Sequence, residues 1–279
     1  MPGTIVVGVS DAPSSRSARE WAVRRAERTG ERLELVQVVG GAVGAVGEDA
    51  VVERLVAAAR TALEAEAAEL SAPGIAASAR VAAGDPIALL VQASADAALL
   101  VIGGEPRGHG HRGRHGARIA AGAHSPVVVV PDSGEADAEP RRGIVVGVDG
   151  SGESDAATDF AATEAARLGE ELTLLSAWLP VAVPGDFGVY PDTYLTDLAD
   201  VTQASVDRVL ERVRATHPGL EVQAAVEEGD PAEVLAARAR TARLTVVGSH
   251  GRGAFARFLL GSVSEEVIAR LAGPTAVVR

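Results

Sequence analysis

The sequence predicts an α/β fold: two tandem Rossmann-like domains, each with a five-stranded parallel sheet and helices on both faces. Three observations carry this prediction. Landmark peptides recur in the same order in the two halves of the 279 residues. Short apolar runs, typical of buried parallel strands, alternate with amphipathic stretches typical of helices. The composition is 47% hydrophobic but only 3% aromatic, which suits a core of aliphatic side chains.

The internal repeat sets the domain boundaries. The matched peptides are 5–9 with 144–148, 84–86 with 229–231, 101–103 with 246–248, and 126–130 with 274–278. The offset grows from 139 to 145 residues, which places six extra residues of the second half within 179–193. We therefore expect one domain at 1–131, a solvated linker rich in charged residues at 132–142, and a second domain at 143–279.

The second half shows its strands and helices most clearly. Apolar runs predict strands near 143–148, 171–178, 220–226, 244–247 and 274–278. Amphipathic stretches predict helices near 154–168, 194–216, 231–241 and 262–272. Pro231 at the first position of the third helix follows Asp230, which is the arrangement of an N-cap. Asp230 is therefore expected to cap this helix and not to bind a metal.

Composition excludes several classes of function. The chain has no cysteine and no lysine, so disulfides, thiol catalysis, cysteine-ligated metals and P-loop lysine chemistry are ruled out. The net charge is −12, with most of the excess acid in residues 143–279, which argues against nucleic-acid binding. No apolar stretch approaches the roughly 18 residues of a membrane span. The expected location is therefore the cytoplasm, without a membrane partner.

The segment 246–264 is the most informative stretch of the chain. A buried strand ends at Gly248, a glycine-rich loop containing Gly251 follows, and Gly261-Ser262 opens a helix. Glycine lets a backbone approach a ligand closely and adopt a positive φ. The free N–H groups and the dipole at a helix N-terminus favour an anion, to which a small hydroxyl can also donate. The segment therefore predicts a phosphate-binding site.

The spacing Gly-x2-Gly-x9-Gly-Ser after Val-Val-Gly resembles the nucleotide-binding signature of the universal stress protein family. The opening strand and loop at 144–151 and the peptide at 229–231 are similar to the same family. The resemblance covers both halves and is more specific in the second. It implies an adenine nucleotide alpha hydrolase-like fold, with ATP, either alone or with Mg²⁺, lying across the loops that follow Val148 and Val247.

The resemblance also implies roles for individual residues. Val148 and Asp149 would hold the adenosine part of the nucleotide. The other implied binding residues are Gly248, His250, Gly251, Arg252, Gly261, Ser262, Val263 and Ser264. Alternatives remain for two of these: Asp149 could only order an Asx turn, and Arg252 could be a solvated loop residue. Nothing in the sequence orients His250 as a general base, so neither a catalytic residue nor a metal site is assigned.

The first half departs from the signature. By the offsets of 145 and 139, the aligned residues are Pro106 at Gly251, Gly116 at Gly261, Ala117 at Ser262 and Ser10 at Asp149. Proline fixes φ and lacks an N–H, and alanine lacks a hydroxyl, so we expect a degenerate nucleotide motif in this half. The intervening loop, 107–115, is rich in arginine and histidine. It could contact an anion, an acidic partner, RNA or a metal, or it could be simply solvated.

These observations favour an ATP-binding stress-response or regulatory protein. In this hypothesis the second domain holds the nucleotide, and the first reproduces within one chain the dimer made by single-domain relatives. One alternative is a slow ATPase or another ATP-using enzyme, although no nucleophile–base pair supports it. Another is a nucleotide-independent scaffold acting through the loop 107–115 or the segment 179–193. The further pairing of two tandem chains into a homodimer is left open.

Overall fold

The computed structural model of the chain describes residues 3–40, 49–71, 74–105, 115–132, 141–180, 194–251 and 260–279. The first copy contains β1 (Thr4–Val9), α1 (Pro13–Thr29), β2 (Arg32–Val39), α2 (Asp49–Ser71), β3 (Ala77–Ala83), α3 (Pro86–Ala93), a 3-10 helix (Ser94–Asp96), β4 (Leu99–Gly104), α4 (His115–Gly122) and β5 (Val127–Pro131). The second copy contains β6 (Ile144–Gly147), α5 (Gly152–Leu168), β7 (Leu172–Trp178), α6 (Tyr194–Thr216), β8 (Val222–Glu228), α7 (Pro231–Ala239), β9 (Leu244–Gly248), α8 (Ser262–Arg270) and β10 (Thr275–Val278).

All nine elements predicted for the second half are present, in the predicted order. The largest difference at a helix start is in α5, which begins at Gly152 because Ser151 caps it through Ser154 N–H. The six extra residues fall where the repeat predicted them. Helix α5 follows α1 by 139 positions and α6 follows α2 by 145, so the insertion lies between β7 and α6.

The strands form one sheet of ten, in the order β3-β2-β1-β4-β5-β10-β9-β6-β7-β8. Neighbours within each copy are parallel, as predicted, whereas β5 and β10 pair antiparallel. The sequence predicted two five-stranded sheets and did not foresee that they are continuous. The physical reason is that the last strand of each copy has an open edge, whose backbone N–H and C=O groups pair with the other copy.

Helices cover both faces of this sheet, as predicted. Helices α1, α2, α5 and α6 pack on one face, and α3, α4, α7 and α8 pack on the other. Close packing requires glycine at two equivalent strand positions. A Cβ on Gly103 would lie 2.5 Å from the carbonyl carbon of Ser14, and one on Gly248 would lie 2.9 Å from that of Glu153. No helix within the described ranges is long and apolar enough to cross a membrane.

Candidate functional site

The candidate site lies where the strand order of the second copy reverses. Strands β6 and β9 are parallel neighbours, and the chain leaves β6 toward β7 on one side and β9 toward β10 on the other. Loops that leave the carboxyl ends of two such strands diverge to opposite faces of the sheet and open a crevice between them. The residues after Gly147 and after Gly248 therefore line the same crevice.

Asp149 forms the turn that follows β6. Its Oδ1 accepts hydrogen bonds from the N–H of Ser151 at 2.9 Å and from the Ser151 hydroxyl at 2.7 Å. Gly150 takes a φ of 77°, which glycine adopts without strain. The Asx turn considered for Asp149 is therefore present, and it leaves Oδ2 directed toward the second loop. The preceding Val148 is buried, and its N–H donates to Leu175 O at 2.8 Å.

Gly251 brings the second loop against this turn. A Cβ at Gly251 would lie 2.6 Å from Asp149 Oδ2, so any side chain there would displace the carboxylate. Gly261 also lies close to this loop. A Cβ added at Gly261 would be 3.2 Å from His250 Cα and 3.4 Å from Gly251 N. The predicted residues Asp149, His250, Gly251 and Gly261 are thus brought together by three separate segments.

The N-terminus of α8 points its first N–H groups into this region, and no side-chain cap is present there among the residues that the structure describes. Gly261 is the N-cap residue, with φ −63° and ψ 154°, and it has no side chain to accept a hydrogen bond. In the same copy, α5 is capped by Ser151 and α7 by Asp230. The contrast matters because the first N–H groups of an α-helix have no acceptor within the helix. At α8 those groups, of Ser262, Val263 and Ser264, suit an external anion.

The hydroxyls of Ser262 and Ser264 differ in environment. Ser262 is exposed, whereas Ser264 is buried and donates its hydroxyl hydrogen to Gly248 O at 2.5 Å. The Ser264 side chain therefore ties α8 to the end of β9, while its backbone N–H remains part of the helix terminus. Of the two hydroxyls, that of Ser262 is the one exposed to an incoming ligand.

His250 lies at the mouth of the loop and is half-buried. Its Nδ1 is 3.1 Å from the hydroxyl oxygen of Ser249. Ser249 is itself buried, with its N–H donating to Val278 O and its carbonyl accepting from Gly261 N–H at 2.8 Å. Sequence reasoning overlooked Ser249, whereas Ser151 belongs to the Asx turn that the sequence offered for Asp149.

Several predicted features lie outside the described residues. Arg252 belongs to 252–259, the histidine- and arginine-rich stretch falls mostly within 106–114, and the insertion falls mostly within 181–193. Asp230, in contrast, is well placed. Its Oδ1 accepts from Ala232 N–H at 3.0 Å and Glu233 N–H at 3.1 Å, which confirms the predicted cap. Among the described residues, no group of three or more acidic or histidine side chains could hold a metal ion.

The equivalent region of the first copy keeps its turn but not its carboxylate. Ser10 stands in the place of Asp149, and its Oγ accepts from Ala12 N–H at 3.3 Å. A cavity of about 210 Å³ opens there, which the sequence did not reveal. Its lining includes Gly8, Ser10, Leu90, Ile102, Gly103 and Ile119. That this copy has lost nucleotide binding stays a prediction.

The structure corrects one alignment between the copies. The last backbone hydrogen bond is equivalent in α4 and α8. In α4 the N–H of Ala123 donates to Ile119 O, and in α8 the N–H of Leu271 donates to Val267 O. These residues are 148 positions apart, not 145, because the loop before α4 is three residues shorter. Gly116 therefore corresponds to Ser264 rather than to Gly261, and pairing Ala117 with Ser262 was wrong. The residue that does correspond to Ser262 is Arg114, outside the described residues.

Comparison with known proteins identifies the family. Residues 1–131 and again 140–279 match the family model described as the universal stress protein family. The chain belongs to the universal stress protein family. A universal stress protein of Mycobacterium tuberculosis is 34% identical over 302 residues, covering 99% of this chain and 94% of that protein. One of Mycolicibacterium smegmatis is 32% identical over 290 residues, covering 99% of this chain and 96% of that protein.

Solved structures agree on the fold of this universal stress protein. A universal stress protein from Archaeoglobus fulgidus matches with a TM-score of 0.70 at 22% identity, over 99% of this chain and 96% of that one. A protein from Pseudomonas aeruginosa matches with a TM-score of 0.63 at 18% identity, over 99% and 92%. The tandem Rossmann-like architecture is therefore shared along the whole chain.

Proposed function

We propose that the second copy binds ATP at the carboxyl ends of β6 and β9, and that the chain is a stress-response regulator controlled by this nucleotide. The observation that carries the proposal is the uncapped N-terminus of α8, which adjoins Gly251 and the Asp149 turn. An uncapped helix start, with its free N–H groups and positive dipole end, favours a phosphate. Membership of the universal stress protein family supports an adenine nucleotide as the ligand.

The proposed phosphate contacts follow from the positions of the residues, and the proposed adenosine contacts follow from the family resemblance. The N–H groups of α8 at Ser262, Val263 and Ser264, with the exposed Ser262 hydroxyl, would bind phosphate oxygens. Val148 and Asp149 would hold the adenosine part. Mg²⁺, which keeps most of its ligands as water and phosphate oxygen, would enter as its complex with ATP.

A physical route for regulation runs through α8, which also belongs to the contact between the copies. Ile268 Cγ2 lies 3.9 Å from the Cβ position of Gly116, and Leu271 Cδ2 lies 2.8 Å from that of Gly104. A ligand that moves the start of α8 would therefore act on first-copy residues through its other end. Such a ligand switches the protein only if it binds two arrangements of the copies with different affinities.

Two glycine variants test the location of the site. Gly251→Ala would place a Cβ 2.6 Å from Asp149 Oδ2, whereas Gly152→Ala adds a Cβ with nothing within 4 Å. We expect the first variant to weaken ATP binding by about tenfold or more and the second to leave it unchanged, measured by isothermal titration calorimetry. Equal ATP affinity in the two variants would place the nucleotide elsewhere.

A further inference from the structure

A pseudo-two-fold axis relates the two copies and passes through the contact between β5 and β10. The antiparallel register pairs Val128 with Ala276, and flanks them with Val127 opposite Val277 and Val129 opposite Thr275. Ala276 follows Val128 by the 148 positions that separate equivalent residues in this part of the copies. Equivalent residues face each other only on a two-fold axis, so the axis runs between Val128 and Ala276.

The same axis passes through a buried ion pair in the helix layer. Arg25 of α1 contacts Glu164 of α5 through Nη1 and Oε2. The two residues are equivalent, since α5 follows α1 by 139 positions from its first residue to its last. Arg25 is 5% exposed and Glu164 is 1% exposed. One copy therefore presents a buried cation on the axis, and the other presents a buried anion.

The ion pairs on either side of the axis use the same residue type at equivalent positions of the two copies. Arg28 Nη1 lies 4.0 Å from Glu170 Oε1, and Arg167 Nη1 lies 3.9 Å from Glu31 Oε1. Arg28 and Arg167 are equivalent positions, as are Glu31 and Glu170. If two first copies or two second copies paired in this way, both contacts would still join arginine to glutamate. These pairs therefore support any pairing of copies equally.

The axial ion pair distinguishes the possible pairings by charge. Two first copies would bring Arg25 against a second Arg25, and two second copies would bring Glu164 against a second Glu164. Like charges in contact at such burial are unfavourable, even though Arg25 keeps Glu31 and Glu164 keeps Arg167 as an ion-pair partner within its own copy. Side-chain size acts in the same sense, because Val128 would meet a second valine and Ala276 a second alanine. One pairing is crowded and the other leaves a void.

Each copy also compensates for its own axial charge. In the first copy, Arg25 Nη2 lies 3.1 Å from Glu31 Oε2, and the Glu31 carboxylate opposes the lowering of the Arg25 pKa by burial. In the second copy, Arg167 Nη1 lies 3.8 Å from Glu164 Oε1, and Glu170 pairs with Arg243 Nε at 2.6 Å. The first copy has Ala98 at the position of Arg243. The exchange of charge on the axis is thus accompanied by a matching change nearby.

We propose that the axial pair of Arg25 and Glu164 restricts the partner of each copy to the other kind of copy. The surface formed by α1, β5 and α4 fits the surface formed by α5, β10 and α8, and it rejects a second copy of itself. Two tandem chains consequently do not associate by pairing like copies through these surfaces. The inference does not depend on nucleotide binding.

A nicked chain tests this specificity directly. A protease site is inserted between the copies, the folded full-length protein is cut, and both parts are denatured and refolded together. Native mass spectrometry then resolves first–first, first–second and second–second pairs by mass. We expect only first–second pairs from the wild type and from the charge-exchanged variant Arg25→Glu/Glu164→Arg. The apolar variant Arg25→Leu/Glu164→Leu should form first–first and second–second pairs in addition, since apolar replacement of a buried ion pair retains stability and leaves only the size difference between Val128 and Ala276 to favour first–second pairs.

Mixed pairing in the wild type, or strict first–second pairing in the apolar variant, would overturn the proposal. A second measurement on the intact chain covers the case in which the parts fail to refold. Arg25→Leu and Glu164→Leu are each expected to lower the midpoint of urea unfolding, because each removes the partner that the other axial charge has across the axis, and the double replacement is expected to recover most of the loss. A double replacement that recovers nothing would show that the axial charges do not recognise each other.

Discussion

At the scale of single residues, Asp149 has two tasks that can be separated. Its Oδ1 accepts two hydrogen bonds from Ser151 and holds the turn after β6. Its Oδ2 is the atom nearest the Cβ position of Gly251, on the side of the proposed nucleotide. An amide oxygen can accept the same hydrogen bonds from Ser151, but it does not carry the negative charge that the carboxylate presents to the proposed nucleotide. Asn and Ala substitutions therefore have different consequences.

Asp149→Asn is expected to keep the turn, since its amide oxygen can accept the same two hydrogen bonds. Its free energy of unfolding should stay within about 0.5 kcal/mol of the wild type, while ATP affinity falls by about tenfold. Asp149→Ala should lose about 1 kcal/mol of stability as well. Urea unfolding and calorimetric titration read the two effects. If Asp149→Asn bound ATP with wild-type affinity, the role of Asp149 would be limited to forming the turn.

At the scale of elements, α8 combines a ligand-binding end with an anchored first turn. The exposed Ser262 stands at the first helical position, and the buried Ser264 holds the helix to Gly248 O. The two serines are two residues apart and chemically identical, so they form a matched pair. Their difference in burial predicts that binding and stability respond to different substitutions.

Ser264→Ala is expected to lower the free energy of unfolding by about 1 kcal/mol, because it removes a buried hydrogen bond. Ser262→Ala should leave stability unchanged and weaken ATP binding several-fold, because only its hydroxyl faces the ligand. Thermal unfolding without nucleotide and calorimetry with ATP measure the two effects. An ATP affinity that depends on Ser264 but not on Ser262 would contradict the proposed orientation of α8.

Sequence patterns predicted the elements and caps that depend on local chemistry. Asp230 was recognised as a cap because an N-cap involves only its own helix and the adjacent proline. The order and approximate bounds of the strands followed from apolar runs in the same way. The correspondence of α4 with α8 was not recovered, because the offset of 145 was applied beyond the shortened loop between β4 and α4, although the match of 126–130 with 274–278 already has the offset of 148.

Features that depend on long-range contacts were invisible in the sequence. Arg25 and Glu164 lie on charged, amphipathic helices, where such residues are usually solvated. They are buried because α1 and α5 meet across the pseudo-two-fold axis. The glycine spacing from Gly248 to Ser262 is visible in the linear sequence, and the carboxyl ends of the two predicted strands placed the Asp149 loop beside it. The Asp149–Gly251 contact required the fold.

At the scale of the whole molecule, the ten-stranded sheet determines which edges stay open. Strands β5 and β10 form hydrogen bonds with each other, so the outer edges of the sheet are β3 and β8. A homodimer of tandem chains would therefore need those edges or a helical surface. Within one chain, the second copy has the turn, the glycine contact and the uncapped helix, while the first has Ser10 in place of the carboxylate. The account therefore predicts one nucleotide site per chain.

Calorimetric titration of the nucleotide-stripped, full-length protein with ATP and Mg²⁺ tests this claim most directly, because it counts the sites. We expect a stoichiometry of about one ATP per chain, abolished by Gly251→Asp, which would place a second carboxylate beside Asp149. AMP and cyclic AMP titrated in parallel would define the preferred nucleotide. Two equivalents of ATP would show that the first copy binds as well, and no binding would contradict the proposed function and favour a nucleotide-independent scaffold.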